Sequence, residues 1–109
     1  MKKIEAVIRE EQLPVVRKAL EDVGYPGITI TQVRGHGRQK GHTAVYRGRE
    51  YEVSLLPKME IEVVVPDTAV DEAIKAIIGA ARTGEIGDGR VFVMPVEQGY
   101  NIRTGEKDV

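Results

Sequence analysis

The 109 residues leave room for one domain, 1–109, with a modest core, since a chain this short buries roughly two thirds of its unfolded surface. Hydrophobic residues at 41% and charged residues at 30% exclude wholesale disorder, and a formal net charge of −1 argues against a chain built for bulk attraction to nucleic acid or acidic membrane. The absence of cysteine removes disulfides, thiolate metal sites and a cysteine nucleophile, and no apolar run approaches the roughly 20 residues that cross a bilayer.

Glu5 and Arg9 interrupt the stretch after the basic Met1-Lys2-Lys3, so no signal peptide is expected, and the expected location is the cytoplasm. Lys2 to Arg9 alternates, with Ile4, Ala6 and Ile8 on one face, the period of a half-buried strand. From Glu11 to Val23 the apolar positions become Leu13, Val16, Leu20 and Val23, a helical stripe that tolerates Pro14 only in its first turn. Gly24, then Pro26 and Gly27, supplies the stop. Ile28 to Val33 is rich in β-branched residues and predicts a second strand, after which periodicity is absent until about Val53.

The pattern then returns. Ile61-Glu62-Val63-Val64-Val65 echoes Ile4-Glu5-Ala6-Val7-Ile8 at an offset of 57 residues. Val70, Ala73, Ile74, Ile77 and Ala81 form a second stripe behind Asp67 and Thr68 as candidate caps; Gly84 is expected to end it, and Arg90 to Val96 is the last strand. A double β-α-β with short strands predicts an α+β, ferredoxin-like fold: a four-stranded antiparallel sheet, both helices on one face, and a long loop between strands two and three. Val7 and Val64 fall on the face that the helices leave uncovered. They are either scattered exposed valines or part of a surface buried between subunits.

Three segments exceed what such a fold needs. Gly35 to about Val53 replaces a short hairpin and opens Gly35-His36-Gly37-Arg38-Gln39-Lys40-Gly41, where glycines admit an anion to the backbone and Arg38 and Lys40 add charge. Arg47 and Arg49 extend that bias, and Tyr46 and Tyr51 suit partner contact, modification or packing back on the domain. Thr83-Gly84-Glu85-Ile86-Gly87-Asp88-Gly89-Arg90 carries more glycines than a helix stop requires and is either a phosphate-wrapping loop or a plain turn. Asn101 to Glu106 places Arg103 just past the sheet, to clamp a phosphate or to fray. Taken singly, Lys58 reads as a solvated edge charge and Met59 as core filler, and His36 and His42 lack the pattern of a metal site.

Together these segments resemble the PII signal-transduction family over essentially the whole chain. Gly35-x-Gly37-Arg38-Gln39-Lys40-Gly41-His42-Thr43, Tyr46-Arg47-Gly48-x-Glu50-Tyr51 and Leu56-Pro57-Lys58 are similar to its T-loop (about 36–54) and flanks. Ala81-Arg82-Thr83-Gly84-x-Ile86-Gly87-Asp88-Gly89 is similar to its B-loop (about 82–90), and Ile102-Arg103-Thr104-Gly105-Glu106 to its C-loop (about 101–109).

The resemblance implies a nitrogen-regulatory protein, not an enzyme, that works as a homotrimer and holds ATP or ADP in each cleft between subunits. It implies that Thr29, Glu62 and Val64 lie near adenine or ribose. Gly35, Gly37, Arg38 and Gln39 at the T-loop, Gly87, Asp88, Gly89 and Arg90 in the B-loop, and Arg103 would complete the nucleotide site. Mg²⁺ held by the ATP phosphates and Gln39 would admit 2-oxoglutarate beside Gln39, Lys40, Gly41, Lys58 and Gly87, with Lys58 pairing the far carboxylate. No redox cofactor is implied. Tyr51 is the modification candidate. The implied partners are an ammonium transporter of the Amt type, which would recruit the protein to the membrane, or enzymes of nitrogen metabolism.

The chain departs from the family pattern at four positions. Asn101 stands where a second arginine is usual, Arg90 for lysine, His36 for phenylalanine and Ser54 for aspartate. The alternatives are a nucleotide-only regulator or an RNA-recognition-like domain. The latter reads bases by stacking on strand aromatics, whereas Phe92 is the single phenylalanine and no tyrosine is expected in a strand.

Overall fold

Strand β1 (Lys2–Arg9) sends Ile4, Ala6 and Ile8 into the core and turns Lys3, Glu5, Val7 and Arg9 to the opposite face, as its alternation predicts. The computed structural model describes residues 1–35, 43–46, 49–52 and 55–109, the two short middle stretches as backbone only. A 3₁₀ turn at Glu10–Gln12 leads into α1 (Leu13–Asp22), where Pro14 occupies the first turn and sacrifices no helical hydrogen bond. Val16 and Leu20 are buried, and Leu13 packs against them. The helix closes in a Schellman motif: Tyr25 N–H donates to Leu20 O at 2.8 Å and Gly24 N–H to Glu21 O at 3.0 Å, with Gly24 at φ +96°.

β2 (Thr29–Gly35) is followed by a small separate hairpin, β3 (Thr43–Tyr46) and β4 (Arg49–Glu52), and then by the long β5 (Leu56–Val65). A second 3₁₀ turn, Asp67–Ala69, leads into α2 (Val70–Ala81), and β6 (Gly89–Pro95) completes the sheet. The order is β2-β5-β1-β6, with every neighbouring pair antiparallel. That is the expected ferredoxin-like arrangement. Val16, Leu20, Ala73, Ile77 and Ala81 from the helices meet Ile4, Ile8, Ile61, Val63 and Val65 from the central strands in one core.

Several local expectations are corrected. β5 begins at Leu56, five residues before the alternation that marked it, and β6 starts one residue earlier than Arg90. Tyr46 and Tyr51 fall in strands after all, in the β3–β4 hairpin. Asp67 and Thr68 do not cap α2, which has no side-chain cap bond; the Asp67 carboxylate instead pairs with the Met1 amino group at 2.9 Å. α2 ends at Ala81, where Arg82 turns extended, so Gly84 (φ +92°) belongs to the loop beyond it. Among the described residues, no helix is long and apolar enough to cross a membrane.

Candidate functional site

The 82–90 loop is held together by one carboxylate. Asp88 Oδ2 accepts the backbone N–H groups of Thr83 and Gly84, each at 2.8 Å, and its Oδ1 accepts the Thr83 hydroxyl and, at 2.9 Å, Arg9 Nε. These donors, Thr83 first and then Arg9, hold the Asp88 carboxyl well below the usual carboxylate range. The Arg9 guanidinium also donates through Nη2 to Ile86 O at 2.9 Å. From β5, Lys58 Nζ donates to Gly87 O at 2.7 Å.

Lys58 is therefore not a solvated edge charge. β5 is an interior strand of the sheet, and Lys58 is only 9% exposed. Burial, and after it the Arg9 charge, lowers its pKa. Gly35 lies alongside, at a place where an added Cβ would meet Lys58 Cγ at 3.4 Å. Three loop glycines have positive φ, Gly84 at +92°, Gly87 at +101° and Gly89 at +112°. At Gly89 the glycine has a packing cause of its own: a Cβ would sit 1.7 Å from the Val7 carbonyl oxygen.

Register carries the site down the uncovered sheet face. Val33, Lys58 and Arg9 form one row, Thr31, Glu60, Val7 and Arg90 the next, and Thr29, Glu62, Glu5 and Phe92 the third, with Val64 beyond. Thr29 and Glu62 are thus paired, and Val64 shares their face. Lys58 and Glu62 lie four residues apart on β5, about 13 Å at strand rise. Carboxylate oxygens of Glu5, Glu60 and Glu62 all fall within 4.8 Å of one another, and Lys3 Nζ reaches Glu62 at 3.7 Å. Desolvation, then the Glu5 and Glu62 charges, pushes the Glu60 carboxyl up. The Arg90 guanidinium lies 5.4 Å from the Phe92 ring centroid, over its face. A groove of about 370 Å³ is lined by Ile74, Ile77 and Ile78 of α2, Val91 of β6, and Arg82 and Asp88 of the loop.

The C-terminal segment is folded rather than frayed. Tyr100 and Lys107 form an antiparallel bridge, Asn101 N–H donates to Glu106 O at 2.8 Å, and Gly105 N–H donates to Asn101 O at 2.8 Å. Asn101 Oδ1 accepts Thr104 N–H at 3.1 Å, so the residue that departs from the family's usual arginine serves as a turn cap. Arg103 is exposed on this turn.

Comparison with known proteins agrees with this architecture. The family model described as Nitrogen regulatory protein P-II matches residues 1–106. This chain belongs to the P-II family. The Nitrogen regulatory protein P-II of Haemophilus influenzae is 59% identical over 108 residues, covering 99% of this chain and 96% of that one. That of Azospirillum brasilense is 59% identical over 107 residues, covering 98% and 96%, and Nitrogen regulatory protein P-II 1 of Escherichia coli K12 is 56% identical over 108, covering 99% and 96%.

Of the residues that the P-II resemblance nominates, the fold brings together Gly35, Lys58, Gly87, Asp88 and Gly89 at one end of the sheet, with Arg90 leading away from them. Thr29, Glu62 and Val64 gather lower on the same face. Arg103 stands on the separate C-terminal turn, whose hydrogen bonds run within residues 98–109. Gly37, Arg38, Gln39, Lys40 and Gly41 lie outside the described residues, as do His36, His42, Ser54 and the side chain of Tyr51. Sequence reading missed Arg9. The one available signal was its place in the β1 alternation, on the same face as Lys58 in the paired strand, but its partner Asp88 lies 79 residues away.

Proposed function

We propose that this P-II protein is a nucleotide-responsive regulator rather than an enzyme, binding ATP or ADP at the 82–90 loop and 2-oxoglutarate beside it. The observation that carries the reading is the Lys58 Nζ to Gly87 O bond, which joins the metabolite-pairing cation to the phosphate loop. The donor set fits an anion. Lys58 and Arg9 are cations at the loop, and the carboxylate that Arg9 pairs, Asp88, is filled by four donors and is unavailable as a metal ligand. Mg²⁺ would accordingly be held by phosphate oxygens and Gln39, and would supply the positive charge that lets a dianion sit beside a triphosphate. Without it, each charge pair 4 Å apart repels by roughly 4 kcal/mol at an effective dielectric near 20.

Lys58 gives the site its linkage. A distal carboxylate that recruits Lys58 competes with or shares the Gly87 carbonyl, so metabolite and nucleotide feel each other through one side chain. The apolar and acidic residues on the uncovered face, together with an adenine-side cluster about 13 Å from the loop, favour a homotrimer with nucleotide between copies. Arg103 would then reach the phosphates from its exposed turn. Partners are an ammonium transporter or nitrogen-metabolism enzymes, engaged from the cytoplasm through residues 36–54, with Tyr51 as a modification candidate.

Calorimetry tests this. Mg-ATP and ADP should compete for one site per chain, and 2-oxoglutarate should bind with Mg-ATP but not with ADP. Lys58→Met should weaken the metabolite far more than ATP. Heat from nucleotide but none from millimolar 2-oxoglutarate would leave a nucleotide-only regulator; no heat from either would sink the reading.

A further inference from the structure

Hydrogen bonds beneath the 82–90 loop sort its peptide planes. In a trans peptide the C=O and the following N–H point to opposite sides. Arg9 draws the Ile86 carbonyl, and Lys58 the Gly87 carbonyl, toward the sheet. The N–H groups of Gly87 and Asp88 therefore face the other way. Successive N–H groups aimed to one side, around a residue with positive φ such as Gly87, form an anion-binding concavity.

We propose that Arg9 is a positioning residue of the nucleotide site: its guanidinium spans the Ile86 carbonyl and the Asp88 carboxylate and thereby turns the Gly87 amide outward to phosphate, next to the Asp88 amide that Lys58 turns outward, without touching the ligand itself. The inference rests on the nucleotide reading above and goes beyond it by naming what shapes the loop. The Arg9 side chain is only 13% exposed, and its Nε and Nη2 are committed to the loop, which argues against a direct phosphate contact. The span needs arginine. A lysine keeps the charge but, as a single point donor, does not bridge two acceptors set apart along the loop. Asp88 transmits the constraint onward, since the same carboxylate holds Thr83 and Gly84.

The test uses the full chain and two readouts. Amide ¹H–¹⁵N signals of Gly87 and Asp88 are compared, without ligand, in wild type, Arg9→Met and Arg9→Lys. Calorimetry then measures ATP and, as a probe without phosphates, adenosine. Arg9→Met should move both amide signals and weaken ATP by about tenfold or more while adenosine changes by less than about twofold, and Arg9→Lys should recover part of the loss. In the double variant Arg9→Met/Asp88→Asn, ATP should bind no more weakly than in the worse single variant, because both act through one brace.

Unmoved amide signals, equal losses for ATP and adenosine, or fully additive losses in the double variant would each overturn the proposal. Should Arg9→Met fail to fold, Arg9→Lys carries the same comparison. If wild type binds no nucleotide at all, the parent reading fails, yet the amide signals still decide whether Arg9 sets the loop.

Discussion

The 82–90 loop and the 99–109 turn look alike in sequence: each is short, irregular, glycine-bearing and furnished with an arginine. They are built on opposite principles. The first is fastened by side chains that arrive from β1 and β5, at separations of 79, 77 and 29 residues. The second closes on itself, with Asn101 capping Thr104 three residues on and Gly105 returning to Asn101. The first therefore depends on the whole sheet being in place, whereas the second needs only its own residues. A ligand loop of the first kind is preorganised by the fold, and one of the second kind can be exchanged without disturbing the core.

The contrast is broken most forcefully at the glycines. Gly89→Ala drives a Cβ to 1.7 Å from the Val7 carbonyl, so the β1–β6 pairing must shift; thermal unfolding should show a loss above about 4 kcal/mol, or insoluble protein. Gly105→Ala, at φ +71° with nothing within 4 Å, should cost only about 1 kcal/mol in the same measurement. Comparable losses at the two sites would erase the distinction.

Asp88→Ala comes next. It strips the partner from the Thr83 and Gly84 amides and frees Arg9, and hydrogen exchange at both amides should quicken on the order of tenfold or more, with 99–109 unaffected. The pH dependence sharpens this. Because the native Asp88 pKa is depressed, its contribution is in place above the unfolded carboxylate pKa and is lost only as pH falls through the native value. The Thr83 and Gly84 signals should therefore hold steady from pH 7 down to about pH 4, where ordinary carboxylates titrate.

The remaining effects are smaller. Asn101→Ala removes one exposed turn bond and should cost about 0.5–1 kcal/mol at most, visible as faster exchange at Thr104. Glu60→Gln is a control on the sheet face between the two regions. A native carboxyl pKa raised above its unfolded value lowers stability as pH rises through that window, so the glutamine should lift the unfolding midpoint at pH 7 and leave it unchanged near pH 4. A midpoint that falls at pH 7 would mean that Glu60 is stabilised as an anion.

The parts of the fold legible in the sequence were those governed by period. Ile4, Ala6 and Ile8, the Ile61 to Val65 run, and the stripes through Val16, Leu20, Ala73 and Ile77 all sit where alternation or helical spacing puts them. What escaped was set by contacts distant in sequence. Pro57 and Lys58 hid the first half of β5, because a buried lysine reads as a boundary until its carbonyl partner is known. Asp67 looked like a cap, but a free amino group from β1's end claims it. Glycine spacing pointed to the 82–90 loop without telling a phosphate cradle from a strand crossing, and Gly89 turns out to be required by the crossing whatever the ligand. Arg9 carried only its place in the β1 alternation, which does not reveal a partner 79 residues away.

Ile86 has a consequence for redesign. The residue is 67% exposed, and among the described contacts the loop uses it through its carbonyl oxygen. The position is thus blind to side-chain identity and open to relettering. Aromatic, polar or charged replacements there would alter what the rim offers to a bound molecule while leaving the underlying brace untouched. Variation concentrated at this residue, with Gly89 held constant, is the most economical library for changing ligand preference without changing the fold.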